Sequence, residues 1–316
     1  MQGRIKTACK NARLAGVLLL GLWLLMLTGC ATTPRLAEST EQALPRQAWI
    51  EGVPFHAQRD YQCGPASLAM VLNHGGVNVA MESLIPQVFI PGREGSVQPE
   101  MLATVRRNGH IPFVLNDSFD ALLTEIAAGH PVVVMQNLSL PAWPMWHYAV
   151  AIGYDLDAKE MILHSGEEAE RIESFRRFDA TWARSGRWAF AALPPGELPG
   201  AIGEQSALQA IADFEQVQGS DATLPAWEAF VTRFPESAMG YFALGNSRHA
   251  AGDASGAIAA FRASVAQRDD LGVAWLNLGL LLGAQGETDE ARQALGRAAD
   301  LPGQWQPRAR EALQRL

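Results

Sequence analysis

Two segments in the C-terminal third align without a gap at a spacing of 34 residues: GYFALGNSRHAAGDASGAIAAFRASV, starting at Gly240, and AWLNLGLLLGAQGETDEARQALGRAA, starting at Ala274. Tyr241 and Trp275, Leu244 and Leu278, Gly245 and Gly279, Ala257 and Ala291, and Phe261 and Leu295 occupy equivalent positions. A unit of this length holds two short helices and cannot bury its own apolar face. Neighbouring units must therefore stack, which commits this part of the chain to a quasi-linear helical array. Small Gly and Ala let the two helices of a hairpin approach closely, while the large residues fill the space between hairpins.

The order aromatic, Leu-Gly, Ala, large apolar resembles the tetratricopeptide repeat. The resemblance implies an all-α domain over residues 196–316, with clear repeats at about 238–271 and 272–305. Trp227, Val231, Phe234 and Pro235 fit the second helix of an earlier, degenerate repeat, and Pro307 to Leu316 a terminal capping helix. Such arrays often take a peptide or protein partner on their concave face, so a protein partner on the repeats is one expectation.

The N-terminus constrains location. Arg4, Lys6, Lys10 and Arg13 precede the apolar run LAGVLLLGLWLLMLTG, which ends at Leu27-Thr28-Gly29-Cys30. The run is short for a membrane span and stops at small residues before a cysteine, the pattern of a bacterial export signal with a lipobox. Residues 1–29 are expected to be removed and Cys30 to carry lipid, giving membrane attachment through Cys30 and a place on the periplasmic side of the cell envelope. Ala31, standing where Asp would favour retention, implies the outer membrane. Residues 30–47, with two prolines and no apolar periodicity, read as a linker.

Composition supports a globular chain: 48% of the 316 residues are hydrophobic and 18% charged. The formal charge is −8, and without residues 1–29 it becomes −12, with 21 basic against 33 acidic residues. A nucleic-acid partner is not expected at that charge. HExxH, CxxC and phosphate-loop patterns are absent from the sequence, so no metal and no cofactor are expected. Cys9 leaves with the signal and Cys30 is consumed by lipid, which leaves Cys63 without a partner inside the chain.

Between the linker and the run LPPGELPG, residues 48–195 carry helical signals at Gly64 to Asn73, Pro99 to Arg107 and Phe119 to Ala128. Apolar strands follow at Val132 to Met135, Tyr148 to Gly153, Met161 to Leu163 and Trp188 to Leu193. Helices first and paired strands afterwards predict an α+β domain. Cys63 stands at the start of its helix, with Pro65 in the first turn, and free N–H groups there favour thiolate over thiol. Of seven histidines, His56, His74, His110, His130, His164 and His249 sit in turns, strand ends or repeats. His147 opens a buried strand, and it is the expected base for the thiol.

VPFHAQRDYQCGPASLAMVLN, followed 84 residues after the cysteine by HYAVAIGYD, resembles the papain-like bacteriocin-processing, or double-glycine, cysteine peptidase family over roughly residues 48–195. The resemblance implies Cys63 as nucleophile, His147 as base and then acid, and Gln58 donating to the oxyanion. Gln58 precedes the cysteine by five residues where the family has six, and Gln62 is the second candidate. The family's third residue is an Asp on the strand after the histidine. Asp155 and Asp157 lie on the order of 25 Å along the strand from His147 at about 3.3 Å per residue. A hairpin folding about residue 157 brings residues 165 to 167 opposite His147 instead, which makes Ser165 the orienter and Glu167 the alternative. The acidic run GEEAERIE reads as a solvated face.

Three readings follow: a lipid-anchored cysteine peptidase acting on exported peptides or proteins, a papain-like amidase or transamidase of cell-wall peptides, and a binding or scaffold lipoprotein with an inactive domain.

Overall fold

The computed structural model describes residues 33–57, 62–90, 92 and 95–316. The signal segment, Cys30 and Gln58 lie outside the described residues. Among the described residues no helix is long and apolar enough to cross a membrane.

The first body contains helices α1 (Glu38–Ala43), α2 (Cys63–His74), α3 (Met81–Val88), α4 (Gln98–Arg107), α5 (Phe119–Ala127) and α6 (Phe175–Trp182). Its strands are β1 (Gln47–Trp49), β2 (Phe89–Ile90), β3 (Gly95–Ser96), β4 (Ile111–Val114), β5 (Val132–Asn137), β6 (Trp146–Asp155), β7 (Glu160–Ser165), β8 (Glu168–Ser174) and β9 (Ala189–Leu193). Among the described residues, seven strands form one sheet in the order β4-β9-β5-β6-β7-β8, and β1 pairs with the far end of β6. Every pairing is antiparallel. β2 and β3 form a separate small hairpin.

β6 is the centre of this body. Its residues Tyr148 to Tyr154 are all buried, flanked by β5 over one half and by β1 over the other, with β7 on the opposite side. The buried face of α2, from Gly64 to Leu72, packs against β6 and joins it in one apolar cluster with α3, α4, α5 and α6. The α+β expectation holds, and every helix and strand anticipated from the sequence is present. α3, β4 and α6 were not anticipated: α3 and β4 each contain a proline, Pro86 and Pro112, and are too short to show a period.

The stretch read as a linker needs a correction over its described part. Residues 33–47 are laid on the domain: Leu36 and Leu44 pack against the core, and the N–H of Ala37 donates to Asp120 Oδ1 at 2.9 Å. Arg46 pairs with Asp157, and the Tyr154 hydroxyl donates to the carbonyl of Pro45 at 3.1 Å. Two isolated leucines carry no period, yet they are enough to seat a segment on an existing apolar surface.

The second body is all-helical: α7 (Glu204–Gln218), α8 (Ser220–Arg233), α9 (Ala238–Ala250), α10 (Ala254–Gln267), α11 (Gly272–Ala284), α12 (Thr288–Asp300) and α13 (Gln306–Arg315). α9–α10 and α11–α12 are the two 34-residue units. A Cβ at Gly245 would lie 2.6 Å from the ring of Phe261, and one at Gly279 2.6 Å from Leu295. The repeated glycine therefore exists to admit the repeated large residue of the partner helix, as the sequence period implied.

The two bodies share a core. Ile111, Phe113, Ala191 and Leu193, from β4 and β9, cluster with Ile211 and Phe214 of α7 and Trp227 and Phe230 of α8. Arg106 pairs with Asp213 at 2.8 Å across the same boundary, and the buried carboxylate of Glu125 accepts the N–H of Ala201 at 3.2 Å.

A shared core predicts joint unfolding. Trp227 is 1% exposed, and Trp227→Ala is expected to cost about 3–5 kcal/mol. It should lower the melting of sheet and helices together in one calorimetric transition. Two transitions, with only the later one moved, would show that the bodies are independent.

Candidate active site

The site forms at the end of the sheet where β6 begins and β7 ends. Cys63 is the first residue of α2, and Gln62 precedes it without a side-chain cap. Gly64 keeps this helix start open to the β2–β3 hairpin, because a Cβ there would run into the side chain of Ser96. The N–H of Tyr148 points at the Cys63 sulfur, together with the N–H groups of Gly64 and Cys63 itself. Tyr148 directly follows His147, so the packing of α2 on β6 brings the thiol beside the strand that carries the histidine.

His147 faces Gln136 across β5 and is partly buried. Its Nε2 lies 2.9 Å from Ser165 Oγ. That bond occupies one ring nitrogen and leaves Nδ1 as the one available to a thiol. Ser165, 5% exposed, ends β7, and the register with Val150 opposite His164 carries it to the imidazole. Glu167 lies in the exposed turn between β7 and β8. Asp155 is engaged at the other end of β6, accepting N–H groups of Asp157 and Ala158 at 2.8 Å and the Gln47 amide at 2.6 Å. Gln62 Oε1 is buried without a hydrogen-bond partner among the described residues.

The electrostatics differ from the sequence expectation. Burial pushes the Cys63 thiol up, and this outweighs the three N–H groups that favour thiolate. Burial, aided by the positive charge of Arg171, lowers His147 to about 4. The resting pair is thus a neutral thiol and a neutral imidazole. The helix start does aim N–H groups at the sulfur, but the desolvation that comes with packing on β6 is larger. Arg171 comes from the acidic run read as a solvated face. That run forms β8, an edge strand, with Arg171 opposite Leu163 and paired with Glu173 at 3.0 Å. Its role depends on a cross-strand neighbour, for which the run itself gives no signal.

His164, His130 and His110 have structural partners. His164 accepts the N–H of Glu170 at Nδ1, 3.1 Å, and so donates from Nε2 to the carbonyl of Val53, also 3.1 Å. His130 meets Glu125 at 2.8 Å, and His110 Nε2 lies 3.1 Å from the carbonyl of Gly75. Among the described residues no group of three His, Cys, Asp or Glu side chains is placed to hold a metal ion.

Residues 50–190 match the model of the Peptidase_C39 like family. This part of the chain is a Peptidase C39-like domain. A candidate C39-like peptidase of Bacillus anthracis is similar in structure at 17% identity, over 47% of this chain and 98% of that one, with a TM-score of 0.41. The helical region is similar to MamA, at 21% identity over 35% of this chain and 64% of MamA, TM-score 0.32. It is also similar to the type III secretion chaperone SycD of Yersinia enterocolitica, solved in complex with a peptide of the translocator YopD, at 16% identity over 35% and 89%, TM-score 0.33. The chain thus spans under two thirds of MamA's length. No curated protein matches the chain. A C39-like domain followed by tetratricopeptide-like helices is the architecture anticipated from the Cys and His motifs and the 34-residue period.

The lowered imidazole links the C39-like site to stability. As pH falls through about 6.5 the unfolded chain protonates this histidine, while the folded chain keeps it neutral down to about 4. The unfolded state then binds more protons, so stability declines toward acid, by up to roughly 3 kcal/mol over that window. His147→Gln is expected to flatten this part of the stability–pH curve measured by denaturant unfolding; parallel curves for variant and wild type would contradict the assigned burial.

Proposed function

We propose that the chain is a lipid-anchored cysteine peptidase of the cell envelope that cleaves peptide bonds of exported peptides or proteins. The observation that carries this reading is the meeting of a helix-start thiol with the strand bearing His147, whose Nε2 is held by a buried Ser165. The lipid anchor at Cys30 rests on the lipobox and residence at the outer membrane on Ala31 after it, and the repeats serve substrate or partner recruitment.

The chemistry runs from the neutral pair. As the sulfur attacks the carbonyl carbon, His147 Nδ1 takes the thiol proton. The oxyanion is received by N–H groups at the start of α2 and by an amide side chain, Gln58 or Gln62. His147 then returns the proton to the leaving amine, and water assisted by the same imidazole hydrolyses the thioester. Ser165 fixes the ring and stabilises imidazolium less than a carboxylate would, and Arg171 opposes the charge that develops. Those two features favour a second reading, a binding scaffold with an inactive C39-like domain.

Iodoacetamide labelling of Cys63 in protein of residues 31–316 separates the two. The peptidase reading expects labelling at pH 7 to fall by at least about a hundredfold in His147→Ala, in line with general base assistance. At pH 10 the two proteins should converge. Ser165→Asp is expected to raise the pH 7 rate roughly tenfold by favouring imidazolium. Equal rates with and without His147 at pH 7 would establish the scaffold.

A further inference from the structure

The loop joining β5 to β6 presents Leu138, Leu140, Trp143, Met145 and Trp146 to solvent, at 45%, 60%, 75%, 62% and 51% exposure. Residues 138–146 include no charged side chain. The loop is internally fixed. Asn137 Oδ1 accepts the N–H groups of Ser139 and Met145, each at 3.0 Å, and Arg184 donates to the carbonyls of Asn137 and Ser139 at 3.3 and 3.0 Å. Leu140 bridges to Trp143. The backbone therefore holds these side chains outward, and exposed apolar surface of this kind marks an interaction site.

Its position says what it meets. The loop enters β6 at Trp146, the residue before His147. The β7–β8 turn lies at the same end of the sheet, with Glu167 and Glu170 exposed and Glu168 3.8 Å from Arg171. His147, bonded to Ser165 beside that turn, stands between an apolar rim and an acidic one. We infer that the surface beside His147 recognises a cationic amphipathic peptide segment, with large apolar side chains against the β5–β6 loop and Lys or Arg against the β7–β8 turn. This inference rests on the peptidase reading and names its substrate class. A lipid surface fits less well: carboxylates at the same end of the sheet are repelled by anionic headgroups, and a bilayer covering both tryptophans would cover the approach to His147.

The test uses protein of residues 31–316, which contains every apolar cluster described, with Cys63→Ala to prevent turnover. Fluorescein-labelled dodecapeptides of three compositions serve as probes in anisotropy titrations: Trp/Leu with Lys, Trp/Leu with Glu, and Ser with Lys. The first is expected to bind at least about tenfold more tightly than either other. Leu140→Ser with Trp143→Ser should remove roughly tenfold of that affinity, and Glu167→Lys with Glu170→Lys should reverse the order of the Lys and Glu peptides. All four substitutions are at exposed positions, and circular dichroism checks the fold. Equal affinity for the three peptides overturns the inference, as does tight binding unchanged by the loop substitutions. Flotation with phosphatidylethanolamine/phosphatidylglycerol vesicles that the loop substitutions abolish, with peptide affinity unchanged, would assign the loop to lipid and overturn it too. If the preferred peptide binds as expected but the Cys63 protein leaves it uncut, recognition stands and the peptidase reading fails.

Discussion

The packing of α2 on β6 is the contact on which the site depends. The thiol and the imidazole come from positions 84 residues apart. The helix that carries the thiol and the strand that carries the imidazole come together because α2 buries its side chains from Gly64 to Leu72 against a strand buried from Tyr148 to Tyr154. The same contact sets the chemistry of the pair. Close packing fixes the sulfur against the Tyr148 N–H, and close packing also removes the water that would stabilise a thiolate and an imidazolium. Precise placement and a resting ion pair are thus in conflict here. The structure favours placement, and it leaves the resting thiol and imidazole uncharged.

What surrounds the imidazole reinforces that outcome. A carboxylate at Ser165 would offset the burial of an imidazolium, whereas a hydroxyl supplies a hydrogen bond and little field. Arg171, held near by Glu173 at 3.0 Å, adds a positive charge that pushes the imidazole further toward neutrality. Ser165 and Arg171 therefore act in the same direction. The N–H groups at the start of α2 act the other way on the sulfur, because they carry partial positive charge and favour a negative group beside them.

The legible parts of this protein are those in which local pattern and tertiary role coincide. The 34-residue period was readable because Gly245 and Gly279 each face the large residue of their own unit, Phe261 and Leu295. The Cys63 helix was readable from Pro65 and the apolar run, and Ser165 from counting the β6–β7 hairpin through its turn. Hidden features all needed a neighbour. β4 is a short buried strand with an internal proline, and it exists because β9 pairs with it. Residues 33–47 carry two leucines with no period and are ordered by a surface already present. The direction of the thiol's shift escaped the sequence for the same reason: the helix start is local and visible, while desolvation is a property of the assembled core.

The helical array sits against β4 and β9, at one edge of the sheet, whereas the site lies at the junction of β6 and β7 toward the other edge. Between them runs a continuous buried sheet, so the array is joined to the site by a shared core and not by a flexible tether. A rigid seat has a definite consequence for recruitment. A flexible linker would give a bound partner an effective concentration that depends on linker length. A fixed one would place any ligand of the repeats at one distance and orientation relative to Cys63. If the proposed peptidase takes a partner on the repeats, its cleavage would be selective by position along the chain as well as by side chain, with the rim at residues 138–146 reading the residues and the array setting the register.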